Sequence, residues 1–286
     1  PFFIFISFKT IHLKFSYKIF KKIASFSLPL IPAILTGWIL NLSDRIFIER
    51  FFTLGDVGIY SLGYKIAGMV GIFAGSISMA YSPVFFKLAN SDNQVIAVKS
   101  ISRYNHIYLM VVVIFCFFVS FFAKEVIIIL FNEKYREAYL FIPLISFSYL
   151  FSQAGGITGL FFQQSKKMKE NMYISISAAF MNIILNFLLI PRFGVFGAAY
   201  ATILSLAIPF GISYSYTKKN CYFVPIKWNQ IIPLVGILVT LVALFQYGIK
   251  LEVYLSLVVK IIVVGIIGLI FLKKYYSKLK WALSSV

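Results

Sequence analysis

Long apolar runs, interrupted at short intervals by clusters of charge, organise this chain from end to end. A bilayer core about 30 Å thick is crossed by a helix of about 20 apolar residues. Eight segments meet that length: 24–43, 60–80, 105–122, 138–161, 172–190, 196–216, 230–247 and 253–272. The alternation of a barrel strand is missing from them. Helices, which satisfy their own backbone hydrogen bonds in lipid, are the predicted elements.

Charge adds a second rhythm. Basic residues crowd the segments before the first span (Lys9, Lys14, Lys18, Lys21, Lys22), after the second (Lys87, Lys99, Arg103) and after the fourth (Lys166, Lys167, Lys169). The same holds after the sixth (Lys218, Lys219, Lys227) and the eighth (Lys273, Lys274, Lys278, Lys280), and only Asp92 and Glu170 oppose them. In the intervening connections, Arg45, Arg50, Lys124, Lys134, Arg136, Arg192 and Lys250 are matched one for one by Asp44, Glu49, Asp56, Glu125, Glu133, Glu137 and Glu252. This is the positive-inside pattern, and it predicts that both ends of the chain face the cytoplasm. The longest of the near-neutral connections, 124–138, reads as an amphipathic helix lying at the interface.

Composition sharpens the class. Charged residues make up 13% of the chain and hydrophobic ones 60%, against about 25% charged in soluble domains. The mean hydropathy is +0.90. The expected fold is therefore all-α and integral to the membrane: a polytopic bundle of about eight transmembrane helices. The net charge of +18 follows from topology. Nucleic acid is not an expected partner, because the cations form no single stripe beside a soluble fold; anionic membrane lipid is. Two cysteines, Cys116 and Cys221, offer neither a disulfide framework nor metal-ligand spacing, so no metal or cofactor is expected. The opening residues PFFIFIS read as the tail of an earlier apolar segment. The expected organisation is a preceding helix end with a basic loop over 1–22, a six-helix bundle over 23–216, and two further helices with a basic tail over 217–286.

Some spans are interrupted. Pro29 and Pro32 fall in the first, Pro143 with Gly155, Gly156 and Gly159 in the fourth, and Pro209 in the sixth. Proline removes a helical hydrogen bond and kinks the helix, as at transporter gates, although proline and glycine are also simply common in membrane helices. The second span has a small and polar face, Ser61, Lys65, Gly68, Gly75 and Ser76, with Gly71 and Gly75 in GxxxG spacing for close packing.

Candidate chemistry gathers where the first two spans meet. Lys65 lies roughly 7–8 Å into its span, at 1.5 Å per residue. Its ammonium either snorkels outward or points into a water-filled cavity near the positive end of its helix, where it suits an anion such as phosphate. Arg45 ends the first span beside Asp44. The two form an interfacial ion pair, or Arg45 offers bidentate hydrogen bonds to a phosphate while Asp44 orients it or responds to a coupling cation. Tyr60 and Tyr64 flank the site with rings able to stack on sugar. Asn182 and Asn186, i and i+4 on the fifth span, either bond a neighbouring helix or line a wet cavity. Lys260, deep in the eighth span, pairs across helices or belongs to the cavity.

These motifs resemble a known family. SLPLIPAILTGWILNLSDRIFIERFFTLGDVGIYSLGYKIA (27–67) is similar to the middle of Wzx-type polysaccharide flippases of the multidrug/oligosaccharidyl-lipid/polysaccharide exporter superfamily. NIILNFLLIPRFGVFGAAYAT (182–202) resembles the superfamily's Asn-rich helix, proline break and Gly-Ala turn, and LFNEKYREA (130–138) its outer connection. The resemblance implies a MATE-like fold of two six-helix bundles, of which this chain holds the second plus two extra C-terminal helices and needs the first. It implies a flippase of the bacterial inner membrane, not an enzyme, moving polyprenyl-pyrophosphate-linked oligosaccharide by alternating access with H+ or Na+ as coupling cation. Arg45 and Lys65 fall where that family's cationic cavity is expected. Two alternatives stay open. A membrane glycosyltransferase or polymerase would need carboxylates; outer acids Asp44, Glu49 and Asp56 exist, but large extramembrane loops and a DxD cluster are missing from the sequence. A drug exporter would be expected to hold acids within its spans, and none is legible deep inside.

Overall fold

The computed structural model describes residues 15–27, 30–248 and 252–266. Among them there is no strand. In chain order the helices are α1 (Tyr17–Ser27), α2 (Leu30–Phe51), α3 (Leu54–Ala89), α4 (Gln94–Phe121), α5 (Ala123–Leu130), a 3-10 helix (Glu133–Leu140), α6 (Ile142–Gln164), α7 (Met168–Phe193), α8 (Val195–Asn220) and α9 (Trp228–Ala243). A π turn (Leu244–Gly248) prolongs α9, and the apolar helix α10 (Val253–Ile266) follows. Five runs are long and apolar enough to cross a membrane: α3, α4, α7, α8 and Trp228–Gly248; the 3-10 helix and α6, bent by 45° at their junction, make a sixth if they count as one span. The chain is an all-α polytopic membrane protein: six of the eight expected spans fall on these runs, 24–43 is divided between α1 and α2, and 253–272 falls on α10. The last is described only as far as Ile266, and Pro29 lies outside the described residues.

Local chemistry sets the boundaries. Thr53 Oγ1 accepts the Asp56 amide at 3.2 Å while Asp56 Oδ2 accepts the Thr53 amide at 3.0 Å, a reciprocal cap that starts α3. Asn93 Oδ1 accepts the Ile96 amide at 3.1 Å and starts α4. Gly194 alone separates α7 from α8, at φ +60° and ψ −142°, a conformation in which a side chain is strained. Pro143, expected to break a span from within, sits in the first turn of α6. There its missing N–H has no helical partner to lose, and the bend comes just before it. Pro209 does lie inside α8, as Pro83, Pro191 and Pro233 lie inside α3, α7 and α9. The expected amphipathic helix over 124–138 is two pieces, α5 and the 3-10 helix, separated at Phe131 and Asn132, where the Asn132 side chain caps the second.

Packing runs α2 on α7, α7 on α8, α8 on α6, and α6 on α3 and α4. A Cβ at Gly63 would stand 2.5 Å from Phe141 Cε2 and 3.1 Å from the Ala138 carbonyl. Glycine at this point lets the 3-10 helix lie directly on α3. Gly71 similarly makes room for the Tyr149 ring, whereas Gly75 faces open space, so the GxxxG pair packs at one end only.

Connections that the charge pattern assigns to one side meet at one end. Gln164 Nε2 donates to Asn90 Oδ1 at 2.9 Å, Lys167 Nζ to the Asn220 carbonyl at 2.7 Å, and the Tyr222 amide to Ser165 Oγ at 2.6 Å. At the opposite end Phe52, Asp56, Glu137, Phe193, Gly194 and Phe196 line a single hollow. The up-and-down alternation of the bundle thus matches the basic and near-neutral connections.

That arrangement makes the sidedness measurable with native cysteines. Cys116 is buried with its Sγ 3.1 Å from the Ser146 carbonyl, while Cys221 is partly exposed at the basic end. Burial pushes the Cys221 thiol up, against the opposing effects of the Ser165 hydrogen bond and Lys167. With a raised pKa, the thiolate fraction is small at neutral pH and grows as pH rises. A membrane-impermeant maleimide is therefore expected to label Cys221 alone, slowly at neutral pH and faster in alkali, in inside-out vesicles and not in intact cells. Labelling of intact cells reverses the orientation.

Candidate functional site

Four helices place polar side chains at one buried point. Asp44 on α2 is fully buried. Its Oδ2 accepts the Tyr60 hydroxyl of α3 at 2.5 Å and the Thr202 hydroxyl of α8 at 3.0 Å; its Oδ1 accepts Asn186 Nδ2 of α7 at 2.7 Å. One residue back, Ser43 donates to Asn182 Oδ1 at 2.6 Å, and Asn182 Nδ2 donates to Ser205 Oγ of α8 at 3.3 Å. Asn186 Nδ2 also stands 3.2 Å from Asn182 Oδ1, while Asn186 Oδ1 is buried with no donor. A bare carboxylate costs several kcal/mol to bury. Three donors from three helices offset that cost and fix where α2 sits.

The cluster corrects the reading of Asp44 as a residue of the membrane edge. Successive helical residues point about 100° apart, from 3.6 residues per turn. With Asp44 turned inward, Arg45 turns elsewhere: its Nε donates to Ser61 Oγ at 2.9 Å, and its guanidinium carbon lies 5.1 Å from the centre of the Tyr64 ring. Tyr64 and Tyr60 in turn have ring centres 5.8 Å apart. The carboxylate answers to α3, α7 and α8, and the half-buried guanidinium to the surface of α3.

Lys65 is exposed and stands one turn beyond Ser61 on that surface. The structure therefore gathers Asp44, Tyr60, Asn182 and Asn186 within the bundle, Arg45 and Tyr64 at its edge, and Lys65 outside. It brings Arg45 and Lys65 to neighbouring positions without joining them. Thr202 and Ser205 were not singled out from the sequence. Thr202, Ser205, Pro209, Ser213 and Thr217 form a buried stripe at helical spacing on α8, which is the signal that would have found them.

Lys260 is resolved as a partner across helices. Its Nζ lies 2.9 Å from Glu125 Oε2 and donates to the Phe121 carbonyl at 2.6 Å, and Ser256 Oγ donates to Glu125 Oε1 at 2.6 Å. Phe121 ends α4, so its carbonyl lacks a helical partner. Glu125, counted from the sequence as an outer-loop acid, is almost wholly buried. Asp44 on α2 and Glu125 on the short α5 are thus acids buried within the protein. Both carboxylates are committed to protein donors.

Among known proteins, the family model described as "Polysaccharide biosynthesis protein" matches residues 2–140, which include Asp44, Arg45, Tyr60, Tyr64 and Lys65. The capsular polysaccharide biosynthesis protein CapF of Staphylococcus aureus is 27% identical over 203 residues, 71% of this chain and 51% of the relative. An uncharacterized membrane protein of Methanocaldococcus jannaschii is 26% identical over 273 residues, 92% of this chain and 54% of the relative. The probable low-salt glycan biosynthesis flippase of Haloferax volcanii is 23% identical over 215 residues, 75% of this chain and 45% of the relative. The chain spans about half the length of the curated relatives it matches. No solved structure matches it. The family model and the two relatives named for polysaccharide or glycan biosynthesis support the resemblance read from the sequence: this chain is similar to polysaccharide biosynthesis proteins, a flippase-named one among them.

Proposed function

We propose that this chain is one bundle of a transporter that carries a polyprenyl-pyrophosphate-linked oligosaccharide across the membrane, working against a second bundle. The observation that carries the reading is the pair Asp44–Arg45 on α2: a buried carboxylate held by α3, α7 and α8, followed directly by a guanidinium at the surface of α3. Arg45 and Lys65 supply positive charge on one face, suited to a diphosphate. The relatives are longer than this chain, which matches only about half of each, and that supports a second bundle opposite that face. The relatives named for polysaccharide or glycan biosynthesis support the sugar-linked cargo.

Asp44 is the candidate for coupling. A proton or Na+ arriving at its carboxylate would compete with the three donors and shift α2 against α7 and α8. Arg45, one residue on, moves with it. The titratable groups of α3 near Asp44 are Tyr60 and, one turn on, Tyr64; α7 and α8 present an amide and a hydroxyl. The uncommitted Asn186 Oδ1 supplies a further oxygen for a hard cation.

Export of lipid-linked sugar in cells tests the proposal. A charge-assisted hydrogen bond contributes about 1.5–3 kcal/mol. Arg45→Ala is therefore expected to cut export about ten- to a hundredfold at unchanged abundance, and Lys65→Ala to cut it less. Unchanged export in both variants overturns the cargo site. Asp44→Asn is expected to leave cargo binding intact and remove the dependence on the Na+ or proton gradient.

A further inference from the structure

A cleft of about 220 Å³ opens between α2, α6, α7 and α8. It lies in the half of the bundle nearer the basic end, since Asn171 and Ser175 begin α7 there and Ser213 nears the end of α8. Its walls are polar for a membrane interior: Ser152, Asn171, Ser175, Ser205 and Ser213 line it beside Thr36 and Gly155. Three of its lining residues each stand about one helical turn from the buried cluster. Leu40 is four residues before Asp44, Ala178 four before Asn182, and Ser205 three after Thr202. Ser205 belongs to both places, since it lines the cleft and accepts Asn182 Nδ2 at 3.3 Å.

We infer that this cleft is the hydrated route by which a small cation, a proton or Na+, reaches Asp44 from the basic end of the bundle. The inference rests on Asp44 as the coupling group and adds the path and the side. A passage for water or a small cation needs oxygen ligands and room, and little else. Hydroxyls and amides on four helices supply the first, and Ser205–Asn182–Ser43 continues them to the residue beside Asp44. The glycine at 155 supplies the second: a Cβ there would meet no atom within 4 Å, so a side chain can start into the cleft from this position. The neighbouring Gly156 is exposed and equally unencumbered, which makes it the matched control.

Trp38 on α2 lies in sequence between the cleft residues Gly37 and Leu40 and, with Trp228 and Trp281 replaced by phenylalanine, is the reporter in this chain. Stopped-flow tryptophan fluorescence of the whole transporter in liposomes, after a jump from choline to Na+ or a drop in pH, is the measurement. Gly155→Leu is expected to slow the response about tenfold, a barrier of about 1.4 kcal/mol, with its final amplitude kept. Gly156→Leu is expected to leave both unchanged. In a variant lacking the native cysteines, Ser175→Cys treated with a methanethiosulfonate ethylammonium from the basic side is expected to show the same slowing in protein already folded. A response lost in Asp44→Asn but of normal speed in both blocked variants overturns the route alone. A response that survives Asp44→Asn overturns the coupling reading and the route with it. Response to only one of the two jumps identifies the ion.

Discussion

Lys260→Met, made alone, is expected to lower stability by roughly 3–5 kcal/mol, the usual cost of stranding one member of a buried ion pair. Lys260 and Glu125 have almost no solvent contact. Without the ammonium, Glu125 keeps only the Ser256 hydroxyl, and the Phe121 carbonyl at the end of α4 loses its donor. The glutamate must then take up a proton or draw in water, and either opens α10 from α4 and α5. Glu125→Gln with Lys260→Met removes both charges, keeps a side chain that accepts from Ser256, and is expected to recover most of the loss. Resistance to unfolding in denaturing detergent measures both. Equal stability of Lys260→Met and the unaltered protein would sink the assignment, as would a double variant no better than the single.

The pair also shows how the last two helices join the rest. Gln246, in the π turn that prolongs α9, donates to the Ser120 carbonyl at 2.5 Å, one residue before Phe121. The unsatisfied carbonyl end of α4 is thus the anchor for side chains from both C-terminal helices. A cation is also favoured there by the helix dipole.

Hydrophobic run length placed the helices, because burial in lipid demands about 20 apolar residues whatever the fold. The charge pattern placed the connections, because it records insertion and owes nothing to packing. What run length and charge cannot encode is rotation about the helix axis. Asp44 and Arg45 are neighbours in sequence and looked like one ion pair; the 100° step between them sends one into the bundle and the other to its edge. The partner that settles Asp44, Thr202, is 158 residues away on a helix whose buried polar stripe was passed over. Glu125 was hidden by its neighbour Lys124 and by the shortness of α5, which made both look like loop charges. Asn182 and Asn186 were legible as an interhelical pair because i, i+4 spacing is local. Pro143 misled for the opposite reason: proline marks a helix start as readily as a break, and only the Phe141 bend distinguishes them.

At Asp44, two substitutions separate architecture from coupling. Asp44→Leu removes the acceptor of three donors, but their losses differ. Thr202 can fall back on the Ala198 carbonyl at 3.0 Å, and Asn186 on Ser43 Oγ at 3.3 Å or Asn182 Oδ1. Tyr60, fully buried, is left with the neighbouring Thr202 hydroxyl. Loss of its charged acceptor costs about 1–3 kcal/mol, and adding Tyr60→Phe should return most of that. Asp44→Asn keeps an acceptor at the same place and is expected to fold within about 1 kcal/mol of the parent, the size of one ordinary hydrogen bond. What it cannot do is change charge. If the carboxylate only ties four helices together, the asparagine variant transports with its ion dependence intact. If the carboxylate is where the gradient acts, the same variant is stable, binds its cargo and no longer responds to the ion. A loss of ion response at full stability is therefore the outcome expected here, and it is one that no purely structural role for Asp44 can produce.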